Sequence, residues 1–363
     1  MPDVGSMLNE LAEIADQPGM LLDRYLKDGR KVVGCFPVYT PEELVHAAGA
    51  IPMGLWGGHV APTVAGKYSP IFTCSIMRSC LECGMTGKYK GLSAIVMPML
   101  CDTFRGMSAA WRAGVGDIPA VFFIHPQNRK DSGAREFLVE EYLSVKRRLE
   151  EITGRTISDE RLAESIEVYN AHSASMMKFC EVADEHLDIV TPLFRHKVMK
   201  SALFMEKGEH ADKVGALVEG LAHMPRCEWK GKKVILTGIT AEPDELLSSF
   251  EKNDIAVVGD DLAQESRLYR TLIPAGSCPV ERLADQWFER YACSLIHETE
   301  SRRGEMLVEM ARKYGADGVV ICLMRFCDVE EYDYPFISKT VQNAGFRTLC
   351  LEIDQSKIGR AHV

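Results

Sequence analysis

The sequence contains no uninterrupted apolar stretch long enough to cross a membrane and no Asn-x-Ser/Thr glycosylation site. A membrane-spanning helix needs about 20 predominantly apolar residues. The first 20 residues are polar and acidic, without the basic start and apolar centre that secretory signals share. We therefore expect a cytoplasmic protein that does not enter a membrane.

Several nucleotide-binding and catalytic signatures are also missing. The chain has no GxGxxG, HExxH or GxSxG motif, and its three Gly-Lys pairs are followed by Tyr or Lys instead of Ser or Thr. A phosphate-binding P-loop needs that hydroxyl to hold Mg²⁺, so the sequence argues against ATP binding by a P-loop. A nucleotide or a flavin such as FMN can still bind where parallel strands end, which leaves flavin open as a cofactor.

The net charge of −10, without any block of Lys or Arg, disfavours binding to nucleic acids. With 363 residues, of which 46% are hydrophobic and 26% charged, the chain has the composition of a globular enzyme of two or three domains. Twelve cysteines in a chain without a secretion signal are better explained as reduced thiols or metal ligands than as disulfides. We expect about half of them to be buried packing residues.

Two regions of the chain alternate predicted strands with predicted helices, which is typical of a parallel sheet covered by helices. A helical lead-in over residues 1–30 precedes the first region, residues 31–130. A charge-rich helical segment, 131–228, separates it from the second region, 229–363. The sequence therefore predicts an α/β protein with two Rossmann- or flavodoxin-like parallel-sheet domains and a helical segment between them.

Local signals predict the ends of particular elements. Thr40, followed by Pro41 and two glutamates, predicts a helix with Thr40 as its N-cap. Ser158, followed by two acidic residues, indicates another helix start. Residues 276–314 are expected to be helical, and the segment 347–352 is expected to be the last strand.

The segment Phe72–Arg105 holds four cysteines, Cys74, Cys80, Cys83 and Cys101. Its single C-x-x-C pair is a weak sign of zinc, and the spacing of the first three cysteines matches no standard ferredoxin pattern. Cys80 and Cys83 fall on one face of a predicted helix. They are therefore either structural residues or replacements for one of the ligands considered next.

Cys74 and Cys101 each stand just before a predicted helix, and Cys327 does so more than 200 residues later. An aspartate follows both Cys101 and Cys327. A thiolate at a helix start is stabilised by the positive end of the helix dipole and by free N–H groups, which also bond to cluster sulfurs. These positions predict an iron–sulfur site built between the two α/β halves.

Four motifs connect the chain to a known family. The segment FPVYTPEELVHAAGAIP, which starts at Phe36, is followed in order by CSIMRSCLE, MLCDTFRG and RFCDVEEYDYP. With these motifs, nearly the full length of the chain resembles the 2-hydroxyacyl-CoA dehydratase family, which also includes subunits of ATP-dependent benzoyl-CoA reductases. The GLWGG sequence after the first motif is most similar to the β-type (D) subunits of the dehydratases.

The resemblance implies one [4Fe-4S] cluster in the cleft between the two domains, held by three cysteines. Carried over position by position, its ligands are Cys74, Cys101 and Cys327. Subunits of α type have a cysteine where this chain has Pro37, and Cys35, two residues earlier, is a reserve ligand. Glu42 corresponds to a glutamate that lies near the substrate in α-type subunits. It is the candidate catalytic residue, and the alternative is a charge that only stabilises the helix start.

The implied activity is an oxygen-sensitive elimination of water from an (R)-2-hydroxyacyl-CoA, which gives an (E)-2-enoyl-CoA through a ketyl radical. The implied partners are a homologous α-type subunit in a heterodimer and an ATP-dependent iron–sulfur activator that supplies the starting electron. Two alternatives stay open, a benzoyl-CoA reductase-type subunit and an electron-transfer protein without a substrate of its own. The sequence does not specify the acyl group.

Overall fold

The computed structural model describes residues 3–298 and 302–362 and contains two sheets. The first sheet is built from β1 (Val32–Cys35), β2 (Ile51–Gly54), β3 (Ala94–Pro98) and β4 (Ala120–Phe123). Its strand order is β2-β1-β3-β4, and every pairing is parallel. The first three strands are buried along their whole length, as expected for a sheet covered by helices on both faces.

Helices precede and connect these strands. The chain begins with α1 (Val4–Asp16) and α2 (Pro18–Lys27), and the connections contain α3 (Glu42–Ala47), α4 (Ser75–Met85) and α5 (Asp102–Gly114). A single 3₁₀ turn, Ala65–Lys67, lies between β2 and α4. Because all strands run in one direction, their carboxyl ends share one edge of the sheet.

The segment between the two sheets is helical, with α6 (Ala134–Thr153), α7 (Asp159–Ala183), α8 (Pro192–Ser201) and α9 (Lys207–Ala222). The predicted start of α7 is confirmed, because the Ser158 side chain accepts a hydrogen bond from the N–H of Arg161. Helices α7 and α9 pack against each other. The exact domain boundaries stay a prediction.

The second sheet contains β5 (Lys232–Gly238), β6 (Ile255–Leu262), β7 (Gly318–Met324), β8 (Arg347–Asp354) and β9 (Lys357–His362). Its order is β6-β5-β7-β8-β9, with only β9 antiparallel to its neighbour. Its helices are α10 (Asp244–Glu251), α11 (Ser266–Tyr269), α12 (Pro279–Glu289), α13 (Arg303–Tyr314) and α14 (Asp328–Asn343). The predicted α/β class with two parallel sheets is confirmed.

Three local predictions are wrong. Thr40 is not the N-cap of α3, because Pro41 holds that position and the Thr40 hydroxyl donates to the Phe36 carbonyl, 2.7 Å away. The segment 347–352 belongs to β8, which is not the last strand, because β9 follows it after a tight turn and pairs antiparallel with it. Residues 276–314 are not continuously helical, because α12 ends at Glu289 and an irregular stretch follows it through residue 298.

Each sheet packs its own apolar residues against its helices. In the first half, Trp111 of α5 meets Phe36 edge to face, with ring centroids 5.4 Å apart, and both side chains are fully buried. In the second half, Leu307 and Ile321 belong to one apolar cluster, and Leu246 and Val320 to another. Within the described residues, no helix is long and apolar enough to cross a membrane.

Candidate cysteine site

Cys74, Cys101 and Cys327 are the N-cap residues of α4, α5 and α14. The prediction that each of them directly precedes a helix is therefore confirmed. Cys101 and Cys327 lie three residues beyond the ends of β3 and β7, at Pro98 and Met324. In parallel α/β sheets, this carboxyl edge is where ligands usually bind.

The three thiols are half-buried and form no disulfide, and the charge of one thiolate raises the pKa of another. Burial, with a smaller contribution from the neighbouring Cys101 thiol, raises the pKa of Cys74 to about 12. Burial and the Glu330 carboxylate raise the pKa of Cys327, and Cys74 and Cys101 add to that increase. Two cysteines of the first half and one of the second half therefore share one electrostatic environment.

Backbone amides of the first helical turns point toward these sulfurs. Hydrogen bonds from the N–H groups of Met77 and Ile76 oppose the increase in the pKa of Cys74. Those of Phe104 and Thr103 do the same for Cys101. Such free N–H groups stabilise a thiolate, and they are also donors to the sulfur atoms of a bound cluster.

The described residues contain no group of three or more His, Cys, Asp or Glu side chains arranged to hold a metal ion. A cavity of about 320 Å³ lies beside the three helix starts. Its wall includes the direct neighbours of each cysteine, which are Thr73, Asp102 and Asp328. The apolar side chain of Phe72, on the same wall, is 66% exposed.

A buried ionic network fixes the start of α14. The Glu330 carboxylate, three residues after Cys327, accepts hydrogen bonds from Arg303 at 3.1 Å and from the Ser294 hydroxyl at 2.6 Å. Arg303 also donates to Asp261 at 2.7 Å, and Arg267 lies 3.0 Å from the same carboxylate. Because the carboxylates and both arginines are almost fully buried, the first turn of α14 has little freedom to move.

The sequence does not predict this network. The acidic residues after Cys327 indicate only a helix start, and nothing in the sequence connects them with Arg303 or with Asp261 near the end of β6. The signal that was present is the Asp260-Asp261 pair inside an otherwise apolar strand. A buried carboxylate needs a partner, so this pair predicts an ionic contact without identifying the partner.

The alternative cysteines have different surroundings. Cys35 ends β1 and is buried, with its sulfur 3.7 Å from the Val33 carbonyl oxygen. Cys80 is fully buried and donates to the Leu55 carbonyl at 3.1 Å. Cys83 is also buried, on the same helix. Cys80 is therefore a packed thiol, whereas Cys35 and Cys83 each line a cavity.

Glu42 lies in a different place, at the start of α3, and lines a cavity of about 90 Å³ near the carboxyl end of β1. Its carboxylate lies 3.1 Å from the ammonium group of Lys207 and accepts a hydrogen bond from the Tyr169 hydroxyl at 3.3 Å. Cys35 lines the same cavity. Glu42 is thus an ion-paired carboxylate that faces a small polar cavity.

Two parallel α/β sheets with cysteines at helix starts define a fold and a site that many proteins could share, and comparison with known proteins narrows the class. The profile of the family "2-hydroxyglutaryl-CoA dehydratase, D-component" matches residues 37–362. The chain belongs to this family.

Three curated relatives align over almost the whole chain. The beta subunit of (R)-phenyllactyl-CoA dehydratase from Clostridium sporogenes is 39% identical, over 98% of this chain and 95% of that protein. Lactoyl-CoA dehydratase subunit beta from Anaerotignum propionicum is 40% identical over the same shares. The beta subunit of (R)-2-hydroxyglutaryl-CoA dehydratase from Acidaminococcus fermentans is 33% identical, over 97% and 94%. The similarity to β-type subunits, inferred first from the motifs, is therefore confirmed.

Proposed function

We propose that this chain is the β-type subunit of a 2-hydroxyacyl-CoA dehydratase and holds a [4Fe-4S] cluster through Cys74, Cys101 and Cys327. The observation that carries the proposal is that all three cysteines are N-cap residues of helices and that the chain neighbours of all three line one cavity. The relatives are named for phenyllactyl-, lactoyl- and 2-hydroxyglutaryl-CoA, which supports a 2-hydroxyacyl thioester as the substrate class.

The donor set fits an iron–sulfur cluster. Thiolates are the usual ligands of such clusters, and N–H donors around them tune the cluster. Ligands that bind different irons do not need the close grouping that a single ion requires. When bound, the cluster would supply one-electron chemistry, and Cys74, Cys101 and Cys327 would hold it.

In this proposal the chain stores or relays an electron for a homologous α-type subunit in an oxygen-sensitive, cytoplasmic heterodimer. An ATP-dependent iron–sulfur activator delivers that electron, since the chain itself has no P-loop. Three protein ligands leave one iron of the cluster open to a ligand from outside the chain. We also leave a bound flavin open, which the flavin content of the chain purified without oxygen will test.

Cysteine variants test the cluster. The full chain, prepared without oxygen, should contain roughly four irons and four sulfides, and Cys101→Ala should lose them. Cys180→Ala should keep them, because Cys180 is a buried thiol of α7. Cys278→Ala is a closer control, since Cys278 is a half-buried N-cap residue of α12. Equal iron in all variants, or an iron-free wild-type chain, contradicts the proposal.

The reaction is tested by adding an α-type subunit and an activator to the iron-loaded chain and supplying different 2-hydroxyacyl-CoA thioesters. Formation of enoyl-CoA that depends on this chain supports the dehydratase subunit. Reduction of the chain without any enoyl-CoA, across the acyl series, would favour an electron-transfer protein. Turnover of an aromatic acyl-CoA instead would favour the benzoyl-CoA reductase type.

We also propose that Glu42 takes part in catalysis from the cavity that it lines. Its ion pair with Lys207 and its hydrogen bond from the Tyr169 hydroxyl hold the carboxylate at the wall of that cavity. Glu42→Gln should lower the turnover of the assembled enzyme while the iron content stays unchanged. Unchanged turnover would leave Glu42 as a helix-start charge held by Lys207.

A further inference from the structure

Gln355 occupies an unusual position for a polar turn residue. It lies between β8 and β9, at the tip of a hairpin, yet only 1% of its surface is exposed. Ser356, its neighbour in the same turn, is exposed. Burial of an amide is unfavourable unless its donors and acceptor are paired, so the partners of Gln355 explain why it is there.

The Gln355 amide is paired on both sides. Its Nε2 donates to the Trp56 carbonyl at 2.6 Å and to the Glu242 carboxylate at 3.1 Å. Its Oε1 accepts from the Gly58 N–H at 3.3 Å and lies 3.0 Å from the Ser79 hydroxyl oxygen. Three of these four partners belong to the first half of the chain, so the hairpin of the second half docks on the first.

The same turn reaches the helix that starts at Cys74. The backbone N–H of Gln355 donates to the Ser75 hydroxyl at 3.2 Å, and Ser75 is the first residue of α4. The packing is tight, since a Cβ on Gly57 would lie 2.6 Å from the Cβ of Ser79 and 2.9 Å from the Gln355 Oε1. Gly57 also has a positive φ of 74°, a conformation that favours glycine.

The other side of the hairpin is tied to Cys327. Strand β8 pairs in parallel with β7, with Ile353 opposite Met324. The N–H of Arg325 then donates to the Ile353 carbonyl at 2.9 Å. Cys327 lies two residues after Arg325, beyond the end of β7, and Gln355 lies two residues after Ile353, beyond the end of the neighbouring β8.

We propose that Gln355 is a positioning residue for the cysteine site. It joins the first turn of α4 to the end of β8, and it thereby fixes the separation between Cys74 in the first half and Cys327 in the second. A ligand shared by both cysteines is retained only while this separation is kept. The inference rests on the proposed function, because that ligand is the proposed cluster.

The test measures how fast the iron-loaded full chain loses iron to a chelator without oxygen, followed by absorbance. Gln355→Ala should lose iron about 10–100-fold faster than wild type, the usual range for residues that orient metal ligands. Gln355→Glu keeps the size of the side chain but loses the Nε2 donor and meets the Glu242 carboxylate, so it should also lose iron faster. Gln342→Ala is the control, because Gln342 is a glutamine of the same half whose side-chain amide donates to the Thr348 hydroxyl at 2.7 Å, within that half.

The thermal unfolding midpoint of the iron-free chains separates positioning from folding. The expected result is fast iron loss in both Gln355 variants, measured at a temperature well below the unfolding midpoint of each iron-free variant, where both are still folded. Iron loss at the wild-type rate in Gln355→Glu and Gln355→Ala overturns the inference and leaves the proposed function intact. An iron-free wild-type chain overturns the proposed function itself.

Discussion

The two halves of the molecule hold their cysteine-bearing helices by different forces. In the first half, α4 and α5 pack against each other and contribute apolar side chains to the core, among them Leu81 and Trp111, which are fully buried. In the second half, the start of α14 is held by Glu330 and Arg303, both almost fully buried and paired with each other. The ion pairs at the start of α14 are buried, whereas the core of the first-half helices is apolar.

This difference has a physical consequence. Apolar packing has no direction and tolerates small shifts, whereas hydrogen-bonded ion pairs fix geometry but are strongly destabilising when one partner is removed. The helix that begins at Cys327 is the one whose first turn is held by buried ion pairs. Four experiments, from the largest expected effect to the smallest, test whether the contrast holds.

The largest effect is expected for Arg303→Ala. This change leaves Asp261 and Glu330 with one guanidinium fewer, and a buried charge that loses its partner costs about 3–5 kcal/mol of unfolding free energy. Denaturant unfolding measures the loss. Arg302→Ala is the matched control, because its side chain is 57% exposed and should cost under about 1 kcal/mol. Similar losses in both variants would contradict the buried network.

Leu81→Ala tests the apolar half. Leu81 is completely buried on α4, so its truncation should cost about 2–5 kcal/mol through lost burial and a cavity. The loss should be the same at low and high salt, since no charge is involved. A cost below about 1 kcal/mol would indicate that α4 is held by its polar contacts and not by packing.

Acid should weaken the first half before it weakens the ionic network. Burial lowers the pKa of His125 from 6.5 to about 3. Between these two pH values His125 is protonated in the unfolded chain and neutral in the folded chain. Unfolding free energy should fall by about 1.4 kcal/mol per pH unit for this group. Between pH 6 and 4, which lies inside this range, His125→Phe should reduce the slope of unfolding free energy against pH by roughly that amount. An unchanged slope would exclude His125 as the source.

Asp261 should respond to pH differently from His125 when unfolding free energy is measured against pH. Burial alone would raise its pKa, but the guanidinium groups of Arg267 and Arg303 hold the pKa well below its ordinary value of 3.8. A carboxyl with a lowered pKa contributes stability that is fully present above its unfolded value and is lost only below it. The network should therefore contribute no pH dependence above about pH 5.

The smallest effect is expected for Lys232→Ala. Lys232 pairs with Asp317 at 2.7 Å, but its side chain is 70% exposed. Exposed pairs contribute about 0.2–1 kcal/mol and are weakened by salt. Denaturant unfolding of this variant, beside Arg303→Ala, shows whether burial of a pair decides its contribution. If Lys232→Ala lost nearly as much unfolding free energy as Arg303→Ala, burial would not be what decides the contribution of an ion pair.

The sequence predicted the elements of the fold better than their contacts. Alternation of apolar runs and helical periods identified both parallel sheets, and Ser158 was identified as a cap because a hydroxyl followed by acidic residues is a local signal. Thr40 carries a similar local signal and was wrong, since its hydroxyl bonds to the Phe36 carbonyl in the preceding loop. Strand β9 was missed because an edge strand has few apolar residues to reveal it.

For the candidate site, the sequence by itself determined that Cys74, Cys101 and Cys327 begin helices, because a cap position depends on the residues that follow it in the chain. Tertiary structure alone decided what surrounds them. Glu330 meets Arg303 across 27 residues of sequence, and Gln355 meets Ser79 across 276. Contacts at such separations arise from the way the sheets and helices pack, and no local pattern in the chain encodes the distance between their ends.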